Sequence, residues 1–216
     1  MHAVWAAALL ATAAARTYGP EKLPEVADAA DPLVDALSVV PKLIVDLRYA
    51  TSNNFAGRPL YPKDTDCLLR RSVAERLARA ARTLAKEHLR LVAWDCLRSP
   101  EAQLALWKAH PQPGAVAEPG RGSLHERGVA VDVGLADEKG EPVELPTPFD
   151  TFGAAAAADA PLPEGPAKRH RDLLVAAMRS AGFRPNPKEW WHYSRLYGWR
   201  WPVATSQTPR ASSATK

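Results

Sequence analysis

Cysteine is scarce in this chain, with only Cys67 and Cys96 in 216 residues. Two thiols suit either a reducing or an oxidising compartment, so cysteine usage excludes neither. Beyond the first sixteen positions no apolar run approaches the ~20 residues that a helical membrane span requires. A basic and aromatic stripe is missing as well. The net charge is +4, but Arg and Lys are spread through the helical stretches, so the charge reads as a solvated surface and nucleic acid is not an expected partner. What remains, 46% hydrophobic and 24% charged residues, is the composition of a globular protein, of a length that suits one domain with a sizeable core.

Residues Met1 to Arg16 hold an apolar run from Ala3 to Ala11, then small residues offering cleavage at Ala11-Thr12-Ala13 or Ala13-Ala14-Ala15. This resembles a secretory signal peptide, although the usual basic start is missing. The expected location is the periplasm or the exterior; a misplaced start or an Ala-rich extension would leave a cytoplasmic protein. In an exported chain Cys67 and Cys96 can form one disulfide, contributing about 3 to 4 kcal/mol by loop closure; the alternative is two separate buried thiols. Residues 17–40 are rich in Pro, Ala and Asp without clean periodicity and read as a linker. The domain is expected over 41–204, followed by a disordered tail at 205–216.

Within the domain, Leu43 to Tyr49 reads as a strand and Thr51 to Pro59 as a polar loop. From Asp66 to His88, Leu69, Val73, Leu77, Ala80, Ala81 and Leu84 recur at the spacing of one helix face, with Arg and Glu on the others. Leu89 to Trp94 reads as a buried strand. Ser99 as N-cap and Pro100 as first helical residue then open a short helix. Arg98 therefore stands at a strand-to-helix junction, free to face a cleft or to pair with Asp95 at the surface. Gly128 to Leu135 alternates valines with Ala130, Asp132 and Gly134, a half-buried strand with Asp132 on its small, polar face. Asp137 to Gly140 reads as a hairpin turn, with a short strand near Val143. A further helix is expected from Ala167 to Ala181, ended by Gly182.

The chemistry concentrates in Ser123-Leu124-His125-Glu126-Arg127-Gly128-Val129-Ala130-Val131-Asp132. Imidazole and carboxylate are both good zinc ligands, and a catalytic zinc typically takes three side chains and leaves one position to water. Of six histidines, only His125 and His192 have acidic and aromatic neighbours. His192 lies in Glu189-Trp190-Trp191-His192-Tyr193, where Glu189 has the character of a general base. Strict strand alternation puts Glu189 and His192 on opposite faces. They converge only if Glu189 sits at a bend or bulge.

Together with Asp46-Leu47-Arg48-Tyr49-Ala50-Thr51-Ser52-Asn53-Asn54-Phe55, Trp94-Asp95-Cys96-Leu97-Arg98 and Pro148-Phe149-Asp150, these motifs resemble the D-alanyl-D-alanine dipeptidase family of zinc peptidases, which includes the VanX-type enzymes. The likeness spans about Asp46 to Tyr193. It implies an α+β fold in which a small, mainly antiparallel sheet carries the metal site and packs against the helices. It implies one zinc ion held by His125, Asp132 and His192, Glu189 as catalytic base, and Arg98 stabilising the oxyanion. Tyr49 and Asp150 would hold the ammonium of the small-molecule substrate D-Ala-D-Ala, and Ser123 would contact its carboxylate. The expected activity is hydrolysis of that dipeptide in cell-wall turnover. The chain departs from the family pattern Asp-x-Tyr-Arg-Pro in having Leu97 for Tyr and Ser99 before Pro100, which bears on the placement of Arg98. Two other functions fit the motifs: a carboxypeptidase trimming D-Ala from longer wall peptides, and a zinc-stabilised binding module without turnover. Glu189 argues against the latter, because a structural zinc needs no base.

Overall fold

The computed structural model describes residues 25–111, 116–120 and 122–204. The expected signal peptide and C-terminal tail lie outside these residues. The strands in chain order are β1 (Leu33–Asp35), β2 (Ile44–Val45), β3 (Leu68–Arg70), β4 (Leu89–Asp95), β5 (Ala130–Asp137), β6 (Phe183–Asn186) and β7 (Glu189–Arg195). The helices are α1 (Arg71–Ala85), α2 (Pro100–Ala109) and α3 (Pro166–Ser180). Five strands form one sheet in the order β2-β4-β5-β7-β6, and β1 pairs with β3 in a second sheet of two strands. Among the described residues only the β2–β4 pair is parallel. The fold is α+β and mainly antiparallel, as the motifs implied.

The sequence pattern accounts for the main elements. On α1 the residues Val73, Ala74, Leu77, Ala80, Ala81 and Leu84 are buried, forming a continuous apolar stripe. This helix packs against α3 and β4. It is shorter than expected, because Leu68 to Arg70 extend into β3 and His88 turns with a positive φ of 58° into β4. Ser99 caps α2 through its side chain, which accepts from the Ala102 N–H at 3.2 Å. After α3, Gly182 adopts a φ of 88° and its N–H reaches the Arg179 carbonyl, as expected of a helix terminator. The expected strand near Val143 reduces to a single bridge between Ala136 and Pro142, and the strand expected over 43–49 is only β2 followed by a 3-10 turn at Arg48–Ala50.

The stretch expected to be a linker is, from residue 25 onward, part of the packed domain. Ala36 and Val40 are buried in the core. Asp31 accepts from Ser72 N–H at 2.8 Å and Ser72 Oγ at 2.6 Å, and from Trp201 Nε1 at 2.9 Å. It therefore satisfies a free N–H of the first turn of α1 from outside the helix. Short pieces of this kind, three residues of strand and single 3-10 turns, carry no hydrophobic period, which is why the sequence reads as linker there.

Two features of the sheet place the site. Pro185 pairs with Tyr193, whereas the next residue, Asn186, already pairs with Glu189, so β7 bulges between Glu189 and Tyr193. This is the irregularity that lets Glu189 and His192 face one cleft. On the neighbouring strands the Trp94 indole crosses Gly134, where an added Cβ would lie 2.2 Å from the ring. Only glycine admits that crossing. Trp94 in turn meets Trp190 and Phe149, which brings the Pro148–Asp150 segment against the sheet.

Candidate active site

His125 arrives on the turn that precedes β5. The Gly128 N–H bonds the His125 carbonyl at 2.9 Å, and Gly128 has a φ of 67°. A Cβ there would also come within 2.7 Å of Leu33 Cδ2, so conformation and close packing both require glycine. Asp132 sits on β5 opposite His192 on β7. The result is a tight triangle: His125 Nε2 to Asp132 Oδ1 3.3 Å, His192 Nδ1 to Asp132 Oδ1 2.9 Å, and His125 Nε2 to His192 Nδ1 3.2 Å.

The donor chemistry of this triangle fits a metal ion. His125 Nδ1 lies 2.9 Å from the Cys96 carbonyl, which only accepts, so Nδ1 carries the proton and Nε2 presents a lone pair to the triangle. Asp132 Oδ1 is buried and makes no hydrogen bond. Lone pairs facing one another at this distance repel unless a cation lies among them. Four-coordinate zinc with bonds near ~2.0–2.1 Å sets its ligand atoms about 3.3 to 3.4 Å apart, close to the observed edges.

The other expected site residues surround the same cleft of about 470 Å³. Glu189 Oε2 is 3.8 Å from His192 Nδ1 and accepts from Asn186 Nδ2 at 2.8 Å. Burial raises its carboxyl above the ordinary glutamate range. Arg98 both lines the cleft and pairs with Asp95, but in the interior: it is 8% exposed, and its Nε and Nη2 donate to Asp95 Oδ2 at 3.2 and 2.6 Å. Its guanidinium lies 5.2 Å from the centre of the Tyr49 ring. Tyr49 donates to Asp150 Oδ1 at 3.0 Å, and the Phe55 N–H donates to Asp150 Oδ2 at 3.4 Å. Burial nonetheless raises the Asp150 carboxyl to about 7. Ser123 lines the cleft, where its Oγ accepts from the His125 N–H at 3.2 Å. Cys67 and Cys96 are joined by a disulfide.

Sequence reasoning missed three supporting residues. Asp95 is fully buried and gathers Arg98, the Tyr61 hydroxyl at 2.5 Å and His125 Nδ1 at 3.3 Å. Its adjacency to Arg98 was visible, but not its burial. Asn186 and Gln103, which contact Glu189 and Arg98, stand outside the recognised motifs and gave no signal.

The comparisons agree with this geometry. A family model described as D-ala-D-ala dipeptidase, Peptidase M15, matches residues 29–198. A D-alanyl-D-alanine dipeptidase of Escherichia coli K12 is 34% identical over 175 residues, 81% of this chain and 90% of the relative. One of Enterococcus faecium is 27% identical over 168 residues, 68% of this chain and 83% of the relative. The matched span contains every strand of the five-stranded sheet and the whole His-Asp-His triangle. The chain is thus a peptidase, and it belongs to the M15, or D-Ala-D-Ala dipeptidase, family.

Proposed function

We propose that this protein is a zinc dipeptidase that hydrolyses D-Ala-D-Ala to two molecules of D-Ala. The observation that carries the reading is the His125, Asp132 and His192 triangle sharing one cleft with the Glu189 carboxylate and the Arg98 guanidinium. A bound zinc would supply Lewis acidity to water and to the scissile carbonyl. Glu189, whose carboxyl is raised by burial, takes the proton of the attacking water and passes it to the departing amine. Arg98 offers fixed donors where charge develops on the carbonyl oxygen, and Asp95 holds the guanidinium in place without reaching for substrate.

A free dipeptide carries both termini, so selectivity needs an anion and a donor at the right separation. Asp150, positioned by Tyr49, receives the ammonium, and Ser123 contacts the carboxylate. A longer peptide would leave Asp150 without its ionic partner in a half-buried site, which disfavours it. The relatives' printed names support this substrate. The apolar start of the sequence supports a place outside the cytoplasm, where the enzyme would recover dipeptide from cell-wall turnover; without export the same activity would act on the dipeptide in the cytoplasm.

The test is metal analysis of the purified protein, combined with D-Ala release from D-Ala-D-Ala and from a pentapeptide ending in the same pair. One zinc per chain and cleavage of the dipeptide are expected. Cleavage of the pentapeptide alone would make the protein a carboxypeptidase. N-terminal sequencing of the protein from its host checks export, which requires removal of about the first sixteen residues.

A further inference from the structure

Gln103 on α2 is fully buried and has no part in the mechanism above. Its Oε1 accepts from Arg98 Nη1 at 2.8 Å, and its Nε2 donates to the Ala117 carbonyl at 2.6 Å. Ala117, with Val116 and Glu118, forms part of the wall of the cleft that holds Arg98. We propose that Gln103 is a positioning residue that fixes the Arg98 guanidinium and the 116–118 wall relative to each other. This inference rests on the peptidase reading of Arg98.

The partners dictate the residue type. A guanidinium is donor only and a backbone carbonyl is acceptor only, so the side chain between them must accept on one side and donate on the other. Among side chains of this length, the glutamine amide does both without taking up a proton. Asp95 grips Arg98 through Nε and Nη2, but both bonds end on the one oxygen Oδ2, so the rigid, planar guanidinium can still pivot as a whole about that oxygen unless a second acceptor holds Nη1. Gln103 is that acceptor, and α2, capped by Ser99 and started by Pro100, is its rigid support. The two bonds have separable consequences. The bond to Arg98 governs where the oxyanion donor stands and so acts on kcat. The bond to Ala117 governs the shape of the wall and so acts on KM.

The experiment compares Gln103→Met, which removes both bonds at similar volume, with Gln103→Glu, which keeps the acceptor for Arg98 and loses the donor for Ala117. Zinc content is measured throughout, together with amide exchange across 116–120. Gln103→Met should lower kcat about 10- to 100-fold, the scale of an ångström's misplacement, with zinc content unchanged. In an Arg98→Lys background the same change should cost less than about twofold more, because the two residues act as a unit. Gln103→Glu should leave kcat within about fivefold and raise KM, and both variants, having lost the bond to the Ala117 carbonyl, should exchange amide protons faster at 116–118. An unchanged kcat in Gln103→Met, or an undiminished loss in the Arg98→Lys background, overturns the proposal. If the unmodified enzyme fails to cleave the dipeptide, the functional reading falls instead, and amide exchange decides for Gln103: unaltered exchange at 116–118 in Gln103→Met refutes it.

Discussion

Asp132 and His192 face each other across the β5–β7 ladder, with Asp132 Oδ1 2.9 Å from His192 Nδ1. Backbone pairing therefore sets two of the three candidate ligands side by side, whereas His125 is placed by the turn before β5. Asp132→Ala should leave the sheet intact by circular dichroism. Outer partners of a metal site are worth about 10- to 100-fold in affinity, so loss of this ligand should weaken zinc binding by more than about 100-fold. Titration against a chelator of known affinity measures it. An unaltered affinity would mean that the triangle is not the metal site. In the unmodified enzyme, chelation should abolish hydrolysis and added zinc should restore it.

Glu189 stands beside the His125, Asp132 and His192 group, with Oε2 3.8 Å from His192 Nδ1. Glu189→Gln keeps the shape of the side chain and an oxygen for the Asn186 amide, but removes the base. Hydrolysis should fall by about 10²- to 10⁴-fold, the usual weight of a positioned base, while zinc content stays at the wild-type level. Parallel loss of zinc and activity would recast Glu189 as a ligand, and full activity would remove it from the mechanism.

Asp150 sets a pH dependence of its own. Burial raises its carboxyl from 3.8 to about 7, so the free enzyme gains the anion proposed to receive the substrate ammonium only as pH rises through that value. The ionised fraction grows about tenfold from pH 6 to pH 8, and KM for the dipeptide should fall by a similar factor over that range. Asp150→Asn should raise KM and flatten its pH profile. Stability moves the opposite way. Between the unfolded value near 3.8 and the folded value near 7 the native state holds a proton that the unfolded chain has lost, so Asp150 contributes stability at low pH that is lost as pH rises through the folded pKa. Thermal melts should therefore show Asp150→Asn gaining on the wild type as pH increases from 4 to about 8. A gap that is independent of pH would contradict the raised pKa.

The parts of this molecule that sequence alone exposes are those governed by local rules. The stripe from Val73 to Leu84 and the Ser99-Pro100 start of α2 are written within a few residues of one another, and the structure follows them. That His125, Asp132 and His192 come together was legible because they sit in compact motifs. What was hidden depends on partners distant in the chain. Asp31 caps α1 from forty-one residues before Ser72, the bulge at Glu189 needs β6 beside β7, and Gln103 has meaning only once Arg98 and Ala117 flank it. None of these leaves a periodic trace.

The disulfide is where stability and site meet. Cys67 precedes β3 and Cys96 follows β4, and their bond closes a sequence separation of 29. Loop closure of that length is worth about 3 to 4 kcal/mol, so a Cys67→Ala, Cys96→Ala double variant should unfold at a markedly lower temperature. Its effect on the metal should be smaller than that of losing a ligand. The Cys96 carbonyl, which fixes the His125 tautomer, belongs to the backbone, and the next residue is tied down independently by the Leu97 N–H on the Leu68 carbonyl at 3.0 Å. Zinc affinity should thus fall by about tenfold or less, below the outer-partner range that applies when the orienting group itself is removed. A loss as large as that of Asp132→Ala would show that the covalent bond, and not the backbone pairing beside it, keeps His125 aimed at the metal.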